Sequence, residues 1–448
     1  MSELLSAKTC ELHVHIGGCL TAEDLFELGR EVYDQIDWSL FVNSFESAYG
    51  TRPDPPALYR QALAEGGGQT LRPYCVYGRE DGGDFARFQA KFNFSICLFR
   101  HWWHVLARQD ELLDRIVERH RNEGLRYVEY RAMAPFDAED ADDFIDFHAT
   151  MARAMVRGER ADFHPRYLIS LPRWQPLESY RVVRRLLEQQ PDLADVLVGL
   201  DFCHFEEGYP PESASAFFEM LHRDNADRPA QRLDVAYHVG EVYFDKSLES
   251  AVRWCHEAAE LGAARLGHCT ALGLDPAAAL TRREQAHECE STSERLAQIR
   301  YDLNHAEALI GRGIAVDCDA LRAEQDDLST RDGSKPYRRS YSEARLEEIR
   351  LRQAFVLDCL TQSGTVIETC PTSNLRIGAV PAESVHPVHN FLASDVPLAI
   401  GADDPGLFNC RLEEEVDWVL RHGGLDAKSL EQRLADPYGF RCGRERPV

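Results

Sequence analysis

LDVAYHVGEVYFDKSLESAVRWCHEAAELGAARLGH, residues 233–268, is the stretch that decides the fold. It opens on a short, largely apolar run, LDVAYHV (233–239), and closes on another, ARLGH (264–268). Between them LESAVRWCHEAAELG (248–262) places apolar residues at helical spacing and stops in Gly, as helices commonly do. Strand, helix and strand in that order form a parallel crossover, and continuous apolar strands suit a sheet covered on both faces. The pattern recurs outward. Upstream lie ELHVH (11–15), LRYVEYR (125–131), RYLISL (166–171) and VLVGLDF (196–202); downstream lie TVIETC (365–370) and PLAIGAD (397–403). Helical stretches such as ELLDRIVERHRNEG (111–124) and YRVVRRLLEQQ (180–190) separate most of them. Eight strands alternating with helices predict one α/β domain over residues 1–448, a (β/α)8 TIM barrel.

Two connections are too long for a bare barrel. Residues 16–124, after the first strand, form a predicted helical insertion or lid region, broken by turns at DPP (54–56), GGG (66–68) and GG (82–83). Residues 269–364, between the sixth and seventh strands, form a charged helical insertion. It includes SERLAQIRYDLNHAEALI (293–310) and SEARLEEIRLRQAFVLDCL (342–360), joined by a polar, mobile connection, QDDLSTRDGSKPYRRS (325–340).

Composition narrows the setting. The 448 residues are 44% hydrophobic, enough for a large core, and carry a formal net charge of −25. Nucleic-acid backbones and anionic membrane surfaces both demand excess Lys and Arg, so neither is an expected partner. Thirteen Cys occur with no CxxC pair, and the start, MSELLSAKTCELHVH, lacks the apolar core of a signal peptide. No run of 18 apolar residues marks a membrane span. The expected compartment is the reducing cytoplasm. A homo-oligomer is compatible with these features.

The chemistry lies at strand ends. His13 and His15, two apart in ELHVH, share one face of their strand. Such a pair alone is often only packed or exposed. His238 ends the fifth strand with Glu241 three residues on, His268 ends the sixth, and Asp403 and Asp404 end the eighth. Barrel enzymes build their sites at these C-terminal ends. Three His and one Asp make a reasonable zinc set with a position left for water, whose pKa zinc lowers to about 7. A nearby Glu and a further His could move protons. That much predicts a metal-assisted hydrolysis without a substrate.

Together the motifs resemble the adenosine/AMP deaminase family of the amidohydrolase superfamily. The matching segments are ELHVHIGGCL (11–20), FARFQAKF (85–92), GLRYVEYRAMAP (124–135), HVGE (238–241), RLGH (265–268), CPTSN (370–374), HPVHNFLASDVPLAIGADDPGLF (386–408) and the tail from EEEVDWVL (413–420). They follow the family's order over nearly the whole chain, and the family fold is the same barrel. The resemblance implies one Zn2+ per chain, bound by His13, His15, His238 and Asp403, and a small-molecule purine as substrate. It implies that Glu241 protonates N1 of a 6-aminopurine, that His268 orients the attacking hydroxide, and that Asp404 hydrogen-bonds N7. Asp403 counts among the catalytic residues with Glu241 and His268. The product would be the 6-oxopurine, inosine-type, with release of ammonia.

Other motif residues have plainer readings. Cys370 to Asn374 shape the floor of the site, Phe88, Lys91 and Phe92 pack as a helix face, and Glu129 and Arg131 form a barrel ion pair. Two departures bear on substrate. Adenosine deaminases carry an Asp two residues after the HxH pair, where this chain has Gly17. After the fourth strand the chain reads DFCHFEEGYPP (201–211), with His204 near the place of a Gly whose backbone meets the purine. Gly17 and His204 therefore point to a substrate larger or more negative at the ribose 5′ position than adenosine, such as a 5′-substituted adenosine, AMP or N6-methyl-AMP. Two-metal amidohydrolases carry a Lys at the fourth strand end, and 195–211 holds none. Cytidine-type deaminases need PCxxC, also absent. A catalytically inactive purine-binding relative would be expected to lack a ligand or the proton donor, and all are present.

Overall fold

A computed structural model of the chain describes residues 6–135, 138–283, 287–434 and 436–443. Residues 1–5 of the stretch read for a signal peptide, and 284–286 of the second insertion, lie outside the described residues. The described strands are β1 (Cys10–His15), β2 (Tyr127–Met133), β3 (His164–Ser170), β4 (Leu197–Phe202), β5 (Asp234–Val239), β6 (Arg265–His268), β7 (His287–Ser291), β8 (Pro336–Ser340), β9 (Val366–Thr369) and β10 (Leu398–Ile400). All but β7 and β8 form one parallel sheet, in the order β1-β2-β3-β4-β5-β6-β9-β10, wrapped by helices as a (β/α)8 barrel. Each of the eight apolar runs is one of these strands. The eighth, expected to reach Asp403, stops at Ile400.

The ring closes through single residues. Asp403 bridges to Val14 of β1: its N–H donates to the His13 carbonyl and its own carbonyl accepts from His15 N–H, both at 2.9 Å. The Glu11 carboxylate reinforces this seam, accepting from the N–H of His13 at 2.8 Å and of Ala402 at 3.0 Å. Gly401 makes the close approach feasible, since a Cβ there would lie 2.5 Å from the Cβ of His13.

Residues between β1 and β2 hold the helices Ala22–Gly29, Ser39–Tyr49, Pro55–Glu65, Gly68–Cys75, Phe85–Arg100 and Gln109–Asn122. Thr21, Asp54 and Asp84 cap three of them, each accepting from a backbone N–H of the first turn. Trp38, Phe41, Phe45, Tyr59 and Phe94 give these helices an aromatic core of their own.

The second insertion corrects one expectation. Residues 325–340 do not form a mobile connection: the helix Cys318–Ser329 ends within them, and Pro336–Ser340 is strand β8, paired antiparallel with β7. Charge explains a strand without an apolar pattern. Glu288 and Glu290 on β7 are buried, and Arg339 of β8 lies 2.9 Å from Glu288 and 3.1 Å from Glu290. Arg345, on the helix Glu343–Ser363, pairs with Glu288 and also with Glu249 on the barrel helix Leu248–Leu261, at 2.7 Å. This ionic cluster ties hairpin, insertion and barrel together. Burial opposes the charge of Glu249, but Arg345 and Arg339 hold its carboxyl down at about 2, from an ordinary value of 4.5.

Replacing Arg345 by Met strands buried carboxylates and is expected to lower stability by about 3–5 kcal/mol, read as a fall in urea midpoint. Arg350→Met, which breaks a more exposed pair with Asp275, is expected to cost about 0–1 kcal/mol. Because the folded-state pKa of Glu249 is depressed, its contribution is complete above pH 4.5 and is lost as the pH falls toward 2. The Arg345→Met penalty is therefore expected to shrink over that acid range.

Candidate functional site

The ends of β1, β5 and β6 and the segment after β10 converge at the mouth of the barrel. His13 Nε2 lies 3.1 Å from His238 Nε2, which lies 3.2 Å from His15 Nε2. Asp403 Oδ1 is 3.4 Å from His15 Nε2 and 3.7 Å from His13 Nε2. His268 Nε2 is 3.9 Å from Asp403 Oδ2 and 3.7 Å from Glu241 Oε1. Six residues expected to act together are thus brought together. His13, His238, His268 and Asp403 are buried, while Glu241 keeps about a fifth of its side chain accessible (21%).

Ring tautomers decide what the cluster can hold. His13 Nδ1 lies 2.7 Å from the Glu368 carboxylate, so that nitrogen carries the hydrogen and Nε2 carries the lone pair. His238 Nδ1 sits 3.0 Å from Asp201 Oδ1. Burial, aided by Arg131, pushes His13 well below the usual histidine range, and burial holds His15 down to about 4. His13 and His15 are therefore neutral at pH 7, and the three Nε2 atoms converge at 3.1–3.2 Å. Such an arrangement calls for a cation among them, and an N3O donor set suits a borderline divalent ion of the zinc class.

A buried ionic network fixes these rings from below. Arg131 lies 3.1 Å from both Asp201 and Glu368, and Arg265 pairs with both Glu368 and Glu129. Arg131 and Arg265 draw Glu368 below the usual carboxylate range against the opposing effect of burial. Glu129 and Arg131, expected to pair with each other, are each ion-paired, but to other partners. Alternation puts both on the inner face of β2, and the barrel wall opposite offers each a closer counter-charge.

Glu241 is positioned through its backbone. The Glu206 carboxylate accepts from the N–H groups of Gly240 and Glu241, both at 2.9 Å, and of Val242 at 3.3 Å. Burial raises the Glu241 carboxyl, with Asp403 adding to the rise and His268 opposing it. For His268, burial works the other way, but the Glu241 and Asp403 carboxylates and a 2.9 Å hydrogen bond from Nδ1 to Asn374 raise it above the ordinary value. His204, His268 and Asp403 all adopt left-handed backbone angles, φ 78°, 64° and 63°. Non-glycine residues rarely do so, and such strain gathers at functional sites.

Asp404 stands beside the cluster. Burial and the neighbouring Asp403 push its carboxyl well above the usual range, and its buried Oδ1 has no hydrogen-bond partner. Gly18 is obligatory here, since any Cβ would fall 1.7 Å from that oxygen. Gly17 and His204 do not touch the histidine cluster. Gly17 faces Phe92, whose ring lies 3.4 Å from where a Cβ would be. His204 lies between Trp174 and Phe205, ring centroids 5.5 and 4.6 Å away. Phe205 meets Phe85 at 5.6 Å, and Phe85, Phe88 and Phe92 follow along one helix at 5.5 and 6.2 Å. An aromatic arc therefore runs from Gly17 to Trp174. Lys91, expected to pack with Phe88 and Phe92, instead donates to Asp81 and the Val76 carbonyl, both at 2.8 Å.

Asp201, Glu368, Glu206 and Glu11 escaped the reading of the sequence as site residues. The available signal was an acid inside or just after an apolar strand run: VLVGLDF, TVIETC, FEEGY and ELHVH.

A family model described as Adenosine deaminase matches residues 345–436. An aminodeoxyfutalosine deaminase of Acidothermus cellulolyticus is 38% identical over 64 residues, which is 14% of this chain and 18% of that protein. The chain thus spans less than a fifth of the length of the first curated relatives it matches (18% and 16%). Among solved structures, the Arabidopsis N6-mAMP deaminase MAPDA superposes with a TM-score of 0.53 at 13% identity, covering 97% of this chain and 93% of that one. An amidohydrolase with bound Zn from Burkhoderia ambifaria gives 0.52 at 14% identity, covering 98% and 87%. At these identities the structural likeness establishes the barrel fold.

Glu368→Gln removes the charge that orients His13 and is expected to weaken zinc binding by about 10–100-fold in a competitive chelator titration. The far-UV circular dichroism is expected to keep its α/β form. Unchanged affinity in a folded variant would remove Glu368 from the metal-supporting role.

Proposed function

We propose that the chain, as a member of the adenosine/AMP deaminase family of amidohydrolases, hydrolytically deaminates a 6-aminopurine nucleoside, using one zinc ion per chain for that reaction. The observation that carries this reading is the convergence of His13, His15, His238 and Asp403 beside Glu241 and His268. In this reading the first four residues hold zinc. When bound, the ion supplies Lewis-acid activation of water near neutral pH.

The chain's own groups divide the proton work. Glu241, its carboxyl raised by burial, keeps a proton to give to purine N1, which makes C6 electrophilic. His268 Nε2 faces the same space and takes the proton that water loses as its oxygen adds to C6. The tetrahedral adduct then returns its hydroxyl proton to Glu241, and the proton on His268 leaves with the amino group as ammonia. Asp404, held protonated by burial and the nearby carboxylates, is the donor to purine N7 in this reading. Thirteen free thiols favour the reducing cytoplasm as its compartment. No helix among the described residues is long and apolar enough to cross a membrane.

A finer reading of the substrate rests on the aromatic arc. Trp174, Phe205 and Phe85 remain 45%, 53% and 40% exposed, an uncommon concentration of bare rings beside a polar site. Two cations on the same segments, Arg173 and Lys91, are already engaged. Arg173 donates to the carbonyls of Phe202 and His238, and Lys91 is paired with Asp81. Gly17 offers no carboxylate for a ribose hydroxyl. These features favour an apolar or aryl group at the 5′ position over both a free hydroxyl and a phosphate.

Ammonia release across adenosine, deoxyadenosine, AMP, N6-methyl-AMP, adenine and 5′-arylthio-adenosine tests both levels. The arylthio compound is expected to have the highest kcat/KM, and Phe205→Ala to lower that value by about 2–10-fold, the worth of one aromatic contact. A higher kcat/KM for plain adenosine would sink the finer reading. Glu241→Gln is expected to lower kcat by at least about 10²–10⁴-fold with zinc still bound. Near-normal turnover in that variant would refute the assigned proton donor.

A further inference from the structure

Ligand-type side chains gather a second time where the second insertion meets the barrel's helical layer. His256 and Glu260 stand one turn apart on the helix Leu248–Leu261, and His305 follows the end of the helix Thr292–Asn304. Glu260 Oε1 lies 3.1 Å from His305 Nε2 and 4.0 Å from His256 Nε2. Ligand atoms from all three residues fall within 4.8 Å of one another.

Both rings are held from behind by one residue. The Tyr301 hydroxyl lies 2.8 Å from His256 Nδ1, and the Tyr301 backbone carbonyl lies 2.9 Å from His305 Nδ1. Phe355 packs against both imidazoles, at 5.7 and 6.5 Å between centroids. A carbonyl can only accept, so His305 Nδ1 carries a hydrogen, and its Nε2 faces a carboxylate oxygen 3.1 Å away. Two acceptors do not rest at that distance without a proton or a metal cation between them. Backing of ring Nδ1 by a carbonyl, as at His305, is also how metal-binding imidazoles are normally oriented. Zinc bonds of about 2.0–2.1 Å place tetrahedral ligand atoms roughly 3.3–3.4 Å apart. The observed 3.1 and 4.0 Å separations bracket that spacing, and the third pair of ligand atoms lies within 4.8 Å.

We propose that His256, Glu260 and His305 form a second divalent-metal site of the zinc class, which clamps the insertion to the barrel. It is distinct from the barrel-mouth cluster and shares no ligand with it. A His2Glu set with one position left to water matches a borderline ion rather than Mg2+ or Ca2+, which prefer oxygen donors. The clamp joins segments 45 residues apart in the chain, so the ion would restrict the insertion's motion without entering the reaction.

Equilibrium dialysis of metal-stripped, full-length protein against Zn2+, followed by metal analysis, gives the test. Wild type is expected to bind one more zinc per chain than either His305→Ala or Glu260→Gln. Zinc is also expected to raise the Tm of wild type further than that of either variant. Ammonia release by the variants should match wild type once the barrel-mouth site is filled. Glu260→Gln alters a half-exposed, nearly isosteric side chain, so it remains decisive if His305→Ala folds poorly. Equal stoichiometry in wild type and Glu260→Gln would overturn the proposal and leave the His305–Glu260 contact as a proton-mediated ion pair. Loss of deaminase activity in a Glu260→Gln protein that has lost no zinc would overturn it as well.

Discussion

Five charges with almost no water around them govern the barrel interior. Arg131, Arg265, Glu129, Asp201 and Glu368 are each 1% exposed or less, and each has a counter-charge within the set. Removing one partner from such a network costs about 3–5 kcal/mol, because the remaining charge has no solvent to return to. The network is therefore close to all-or-none, and it spans β2, β4, β6 and β9, half the barrel wall. Its upper edge is formed by the two carboxylates that face His13 and His238. The same electrostatics thus hold the wall together and orient the imidazoles at the mouth.

That coupling explains why the polar centre is so rigidly prescribed. Imidazoles presenting neutral Nε2 lone pairs at close range repel unless something positive sits among them. Fixed carboxylates behind the rings keep them from turning away. Strained backbone at His268 and Asp403 persists for the same reason: the surroundings leave each residue no relaxed alternative. Glu241 differs from its neighbours in being held through its amide by Glu206 while its side chain reaches open space, which suits a group that must exchange protons with a ligand.

Much of this was legible in the amino-acid order. Apolar runs marked the strands, because a parallel strand covered on both faces has little room for polar side chains. His13, His15, His238, His268 and Asp403 were legible because each breaks such a run at its C-terminal end. The supporting acids were visible only as anomalies. Glu368 reads as a stray charge in TVIETC until closure of the barrel brings it to His13, 355 residues away in the chain. Strand β8 was hidden for a related reason: PYRRS has no apolar alternation, and what stabilises it is the pairing of Arg339 with carboxylates on β7. Local pattern records burial well. It does not record which distant charge will be opposite.

The seam at Asp403 has a dynamic consequence. Around most of the wall, neighbouring strands are joined by ladders of several residues, but β10 has only three residues, and the segment after it meets β1 through two backbone hydrogen bonds, both made by Asp403. Local opening is cheapest where the ladder is shortest. Breathing of the barrel at this seam would separate Asp403 from His13 and His15 and dismantle the donor set in one motion. Slow amide hydrogen exchange at His15 and Asp403 would then be a direct gauge of how long the donor set stays assembled.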